Sequence, residues 1–321
     1  MPNRSKTAQQ SAEKVRSIYG IGEWYGKSFV RLTPEERREL ARAALSKKTP
    51  NIVCPFKPTT EKNVLCSKKG GVCTIRLYQQ DKNTGVVSTV PGPEGQLVTL
   101  CPHRLKDANK IFRWVGEKLL GDPNPLVVSE VGFLEKEGSP ASDKGKGGRR
   151  DVGRIDKVLV HSSREPMHWC TLEMQAVYFS GRKMREEFRM IQKTQTPGLP
   201  FPLLRRRPDY RSSGPKRLMP QLQIKVSRLS RWGKKMAVVL DRSFASAMGV
   251  TSDVADVSNC EVAWFIVRYV EQDHSVSLEL DSVLLTTLQS AVEALTGGRP
   301  LRQEEFEAKI REKLAKIRRK S

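Results

Sequence analysis

Three residues in the stretch 154–180, RIDKVLVHSSREPMHWCTLEMQAVYFS, could share one piece of chemistry. Asp156 lies in the first of two apolar, strand-like runs. Glu173 and Gln175 lie in the second, two positions apart, and residues two apart on a strand point to one face. If the runs pair as a hairpin across the polar turn between them, Asp156 lies beside Glu173. Two converging carboxylates on a sheet surface offer the hard oxygen ligands that suit magnesium. A metal held there would bind phosphate oxygens and activate water for phosphodiester hydrolysis. Gln175 could orient the water or the phosphate. A lysine would do that better, since it adds positive charge where negative charge develops, and an amide is no base at neutral pH. The competing interpretation is two polar residues on the exposed face of a hairpin. Alternation argues against it: Leu172, Met174 and Ala176 can face the core, which leaves Glu173, Gln175 and Val177 on the other face. Glu130, inside the apolar run PLVVSEVGFLE, is either a third magnesium ligand or an edge-strand charge.

A second set of residues suggests a different metal. Cys54, Cys66, Cys73 and Cys101 fall within residues 50–105, each at the edge of a short apolar run, with lysine-, glycine- and proline-rich turns between them. A small, turn-rich segment with little apolar material needs a staple. Four thiolates around one metal would supply it, and a closed four-sulfur site is structural rather than catalytic. The spacing is not CxxC…CxxC, and four independently buried thiols would look the same. Chemistry alone suggests zinc, and tetrahedral sulfur also suits iron.

Charge says what such a protein would meet. Lys plus Arg outnumber Asp plus Glu by 57 to 35, a net charge of +22, which points to a polyanionic partner and most simply to nucleic acid. Two basic stretches stand out. Residues 138–150, GSPASDKGKGGRR, form a glycine-rich loop carrying Arg149 and Arg150. Residues 196–220 are rich in proline and arginine and carry Arg205, Arg206, Arg207, Arg211, Lys216 and Arg217. Such residues suit phosphates and base edges; a solvated loop and a linker are the plainer alternatives. No phosphate-cradling GxxxxGK[ST] pattern occurs. The longest apolar run, 262–270, is interrupted by Arg268 and falls far short of the roughly 20 residues a membrane span needs. The first 15 residues have no apolar core of a secretory signal. The expected location is the cytoplasm, where cysteines serve as metal ligands or buried thiols more often than as disulfides.

The elements that must position these residues follow from periodicity and capping. Helices are expected over 11–25, over 33–46 (Thr33 as cap, Pro34 at the first position, then Glu35 and Glu36), over 105–120, 180–193, 218–232 and 282–295, and over 304–320 with Phe306, Ile310, Leu314 and Ile317 on one face. Residues 125–135, 236–240 and 276–280 read as extended. The run 262–270, the most apolar, is expected at or next to the centre of a sheet. The expected fold class is α/β in the mixed α+β sense, a central mixed sheet flanked by helices. Its expected divisions are an N-terminal helical region 1–49, a four-cysteine metal-binding segment 50–105, and a nuclease domain 106–321 with DNA-binding loops.

Asp156 with Glu173-Met174-Gln175 resembles a variant of the PD-(D/E)xK nuclease core in which glutamine stands in the lysine position. More narrowly, the chain resembles the NotI-type restriction endonucleases. The resemblance rests on Leu172-Glu173-Met174-Gln175 followed by Phe179-Ser180-Gly181, together with Cys54-Pro55-Phe56, Cys66, Gly71-Val72-Cys73 and Cys101-Pro102. It implies a type II restriction endonuclease, a homodimer that cuts both strands of a palindromic, GC-rich double-stranded DNA site using magnesium. It implies Asp156 and Glu173 as magnesium ligands and Gln175 in the lysine's place. It also implies a structural iron on Cys54, Cys66, Cys73 and Cys101, with zinc possible in a recombinant sample. Two other readings fit the charge and the cysteines: a non-catalytic, metal-stapled DNA- or RNA-binding protein, and a DNA-repair nuclease of the same superfamily. The Asp156–Glu173–Gln175 set separates the first of these from a nuclease.

Overall fold

A computed structural model describes residues 17–46, 50–57, 64–135, 151–181, 184–203, 205–272, 275–297 and 301–318. The loop 138–150, with Arg149 and Arg150, lies outside the described residues.

The chain begins with strand β1 (Ser17–Trp24), where periodicity predicts a helix. Val15, Ile18 and Tyr19 suggest a helical face, but Gly20 and Gly22 weaken any helix there. Both glycines are also places of close approach: a Cβ on Gly22 would lie 2.4 Å from the Leu97 side chain, and one on Gly20 2.6 Å from Pro202. Pairing with a distant partner decides the matter. β1 runs antiparallel to β2 (Val72–Gln80), with Ser17 opposite Gln79 and Trp24 opposite Val72. Helix α1 (Pro34–Leu45) comes next after β1, with a capping box in which Thr33 and Glu36 satisfy each other's backbone N–H groups. Helix α2 (Lys110–Leu120) starts later than expected, because Asp107, Ala108 and Asn109 leave helical geometry, the last two with φ of +48° and +58°.

The second sheet carries the candidate chemistry. It contains β3 (Leu126–Glu135), β4 (Asp151–Val160), β5 (Trp169–Met174), β6 (Met236–Asp241), β7 (Val262–Gln272) and β8 (Ser275–Thr286), in the order β8-β7-β6-β5-β4-β3. The central pairs β5–β6 and β6–β7 are parallel, and the pairs outside them are antiparallel, so the sheet is mixed. The apolar run of β7 takes the place next to the centre. β8 extends to Thr286, past the expected helix start at 282, because Ser282 pairs with Ile266 and Leu285 with Ala263. Between β5 and β6 the chain forms α3 (Arg185–Lys193) and α4 (Met219–Arg231). The short helix α5 (Arg242–Met248) follows β6, α6 (Leu288–Thr296) follows β8, and α7 (Gln303–Arg318) comes last.

Each face of this sheet is covered. Leu172, Met174, Ala237, Val239 and Phe265 pack against Ile111, Val115 and Leu119 of α2. Val238, Leu240, Trp264 and Ile266 pack against Leu222, Val226 and Leu229 of α4 and Leu295 of α6. A fully buried side chain of this size contributes about 1.5–3 kcal/mol, so these layers fix where α4 lies over β5. Ile21, Trp24, Val72 and Ile75 of the first sheet belong to the same cluster as the α4 layer, so the cysteine-bearing segment shares its core with the rest of the chain. In contrast, the apolar stripe Phe306, Ile310, Leu314 and Ile317 on α7 is exposed, and no residue of that helix is buried.

Candidate active site

The hairpin pairing expected from sequence places two carboxylates together. Lys157 lies opposite Leu172 and Val158 opposite Thr171; one further step of the same antiparallel register puts Asp156 against Glu173. Glu173 is buried while Asp156 is half-buried. Burial pushes the Glu173 carboxyl up to about 7, and Asp156, close enough to share a hydrogen bond with it, pushes the same way; the charge of Lys225 pulls it down. The pair thus resists holding two negative charges without a cation beside it.

Lys225 is a neighbour of the pair that the sequence does not announce. It projects from α4, and its Nζ lies 2.8 Å from Glu173 Oε2 and 2.9 Å from Gln221 Oε1. The two ion-paired side chains are 9% and 6% exposed. A signal was present in the sequence: Lys225 interrupts the stripe Leu222, Val226, Leu229, whose other members all turn to the core. A lysine buried in such a stripe is costly unless its ammonium meets polar partners.

Gln175 is also buried, one strand step beyond Glu173 on the same face. Its backbone N–H donates to Val239 O (2.9 Å), tying β5 to β6, and its side-chain Nε2 donates to Ala176 O at 2.7 Å. Glu130 behaves differently. Its place on β3, between the pairs Ser129–Lys157 and Val131–Ile155, sets its backbone across from Asp156. Its φ of +53° is in the left-handed region, however, and its carboxylate is 74% exposed and paired with Arg154 at 3.2 Å. Asp156 thus meets Glu173, while the Glu130 carboxylate meets Arg154. Among the described residues no group of three or more His, Cys, Asp or Glu side chains is gathered as a metal cluster.

The surroundings of the pair are positive. Burial and the charge of Lys157 hold the Lys106 ammonium below its usual range, and Asp156 opposes them. Burial holds His103 down to about 4, helped by Lys106, Lys57, Lys157 and Lys68. Lysines from the cysteine segment, from the turn before α2 and from β4 thus surround His103, and one of them, Lys106, lies within electrostatic reach of Asp156. Sequence spacing alone gave no sign of this.

The four cysteines are all buried and free of disulfides. Two short backbone pairings set them: Cys54 N–H donates to Val64 O and Cys66 N–H to Ile52 O, while Cys101 N–H donates to Cys73 O. Burial raises the Cys66 thiol, and the nearby Cys54 and Cys101 raise it further. Cys73 is raised by burial first, and Cys101 and Cys66 add to this. The donor set suits a soft-ligand metal, since Cys66 lies within electrostatic reach of Cys54, Cys73 and Cys101, but the sulfurs are not drawn into a coordination cluster.

The basic segment lies at the end of β5, where Pro208 and Asp209 pair with Phe179 and Tyr178. Arg205, Arg207, Arg211 and Lys216 are exposed. Arg217 stacks on Tyr178, with its guanidinium 3.8 Å from the ring centre, and bonds the tyrosine hydroxyl. Arg206 departs from expectation. It is buried over Phe179 and against Met184, where it organises the loop and does not face solvent.

A family model described as restriction endonuclease NotI matches residues 37–280, most of the chain. The chain belongs to the NotI restriction endonuclease family. The matched region includes all four clustered cysteines, the β4–β5 hairpin, Lys225 and the basic segment. No curated protein matches the chain. As a member of a NotI-type restriction endonuclease family it is a nuclease and a hydrolase, and its partner is DNA. Among the described residues no helix is long and apolar enough to cross a membrane.

Proposed function

We propose that this NotI-family chain is a type II enzyme of the PD-(D/E)xK kind that cuts both strands of a palindromic, GC-rich duplex in a magnesium-dependent reaction at Asp156 and Glu173. The observation that carries the reading is the adjacency of those two carboxylates on antiparallel strands, in a basic and partly buried setting. Magnesium, when bound, would polarise the scissile phosphate and acidify a water. Asp156 and Glu173 would hold it, and its positive charge would relieve the repulsion that keeps the Glu173 carboxyl up near 7. The lysines around His103 would receive the phosphate backbone, and Arg205, Arg207, Arg211 and Lys216 are the exposed groups suited to further contact. Glu130 has no part in this proposal. Family membership favours a nuclease over a binding protein without activity, and a homodimer, one subunit per strand, is the arrangement that a palindrome requires.

For the cysteine segment we propose a structural iron, or zinc, on Cys54, Cys66, Cys73 and Cys101. It would close a loop-rich segment whose thiols are buried and unpaired. Metal analysis of the purified protein is expected to give about one such metal per chain, and a metal-free protein of unchanged stability would remove it.

Incubation with plasmid DNA and magnesium is expected to give discrete fragments. A smear or nicking alone would favour a repair nuclease. Glu173→Ala is expected to lower the cleavage rate by about 100-fold or more while duplex binding survives. Unchanged cleavage by that variant would place the active site elsewhere.

A further inference from the structure

In a magnesium nuclease built on Asp156 and Glu173, the strand that carries Glu173 offers a neutral amide where charge stabilisation is needed. We infer that Lys225, from helix α4, supplies the cationic group of this active site, in place of a lysine at position 175. The inference rests on the magnesium-nuclease reading and deepens it.

The position of the lysine is costly. Leu222, Val226 and Leu229 on the same helical face are fully buried. An apolar residue at 225 would continue that layer without desolvating a charge. Burying an ammonium costs several kcal/mol unless it is paired and hydrogen-bonded. Lys225 meets one carboxylate and one amide oxygen. An ammonium has three protons to donate; the third has no acceptor among the described residues and is left for a ligand. The acid it meets is Glu173, not one of the many exposed acids that would hold a lysine at lower cost.

Gln175 cannot fill the same role. One Nε2 proton goes to the Ala176 carbonyl, and the other cannot substitute for a cation, since an amide adds no charge. Phosphodiester hydrolysis concentrates negative charge on the attacked phosphate and the leaving oxygen. A fixed cation in a site of low dielectric stabilises that charge far more than a neutral donor does. Lys225 enters from the helix that covers β5, so it can lie over the same face as Glu173 without occupying a strand position. An ordered helix layer, rather than a mobile loop, holds it there.

The test uses the full-length protein. Single-turnover cleavage of a duplex that the wild type cuts is measured with magnesium. Affinity for the same duplex is measured with calcium in its place. Lys225→Met is expected to cut about 100-fold more slowly, with affinity changed by less than about threefold, the scatter usual for a contact that carries no binding. Adding Gln175→Lys to Lys225→Met is expected to recover at least about tenfold of the rate, because a charge from the strand replaces the one from the helix. A purely structural lysine would not be rescued by a residue on another element. Cleavage by Lys225→Met within about threefold of wild type, or no rescue in the double variant, overturns the inference. If Lys225→Met does not fold or bind, Lys225→Gln decides: its amide can still meet Glu173 but carries no charge, so cleavage about 100-fold slower is expected, and a rate within about threefold of wild type overturns the inference. A wild type that does not cut with magnesium, or a Glu173→Ala variant that still does, defeats the parent reading; an active wild type with an unaffected Lys225→Met defeats only this one.

Discussion

Two carboxylates are buried against cations in this protein, and they are built differently. Glu23 of β1 receives Arg104 Nε at 2.9 and 2.8 Å, on both oxygens. The same guanidinium donates to Val276 O at 2.7 Å, lies 3.3 Å from Asp107, and is sandwiched between the rings of Phe56 and Tyr269 at 4.5 and 4.8 Å. It is completely buried. Glu173 receives a lysine through one short contact and has a second carboxylate beside it. Arginine's fixed fork suits a joint with many partners, although Arg104 Nη1 is buried without a hydrogen bond and meets Asp107 only as an ion pair. A lysine with an unused proton beside two repelling acids is an incomplete arrangement that a metal and a phosphate would complete. The first pair ties together the N-terminal sheet, the cysteine segment and β8; the second holds the site. Burial of an ion pair alone does not distinguish structure from function. The second carboxylate beside Glu173 does.

The sharpest way to break this contrast is to remove the joint. Arg104→Ala leaves Glu23 buried without a partner and is expected to cost about 3–5 kcal/mol, read by denaturant unfolding. A loss below about 1 kcal/mol would mean that the site tolerates water and is not closed. The paired replacement sharpens the same point. Changing Glu173→Gln together with Lys225→Met removes two desolvated charges at once. Its expected effect on stability is neutral or a gain of about 1–4 kcal/mol, at the expense of cleavage, since residues kept for chemistry often reduce stability. The matching double change at Glu23 and Arg104 is expected to remain destabilising. Val276 O, Asp107 and two ring faces would all lose their partner. Equal outcomes for the two doubles would erase the distinction.

How much of this is legible in the sequence depends on the distance between partners. The capping box at Thr33 and the helix from Pro34 are local, and the sequence shows both. The Asp156–Glu173 pairing is legible because one short hairpin connects the two and a strand has period two. Lys225 lies 52 positions from Glu173 on a different element, and only its intrusion into an apolar stripe marks it. The first strand reads wrongly as a helix because residues 15–19 fit a helical face locally, while the pairing that decides it lies across a distant strand. Residues 282–286 fail in the same way: their ladder with β7 outweighs the helical pattern they share with residues 287–295. The orientations of Glu130 and Arg206 are not legible in the sequence. A left-handed φ turns the first outward, and an aromatic ring draws the second inward.

A third carboxylate–cation pair completes the series at the surface, and its effect is the smallest. Glu36 Oε1 lies 3.2 Å from Lys27 Nζ, and its other oxygen accepts the Thr33 N–H at 2.9 Å. Here burial is slight and the desolvation that opposes the pair is outweighed. The Thr33 backbone bond first, and then Lys27, hold the Glu36 carboxyl below its ordinary range. Because the folded value is lower than the unfolded one, the stabilisation is complete above the ordinary glutamate range, near 4.3. It is lost as pH falls through the lower folded value. Glu36→Gln is expected to cost about 0.5–1 kcal/mol at pH 7 and to flatten the acid limb of the stability curve. Because the pair is exposed, added salt should reduce its Lys27 share, whereas the Arg104 joint should be indifferent to salt. Stability measured against pH at low and high salt for wild type and Glu36→Gln checks both statements. An acid limb unchanged by the substitution would show that the charge of Glu36 contributes nothing to the cap.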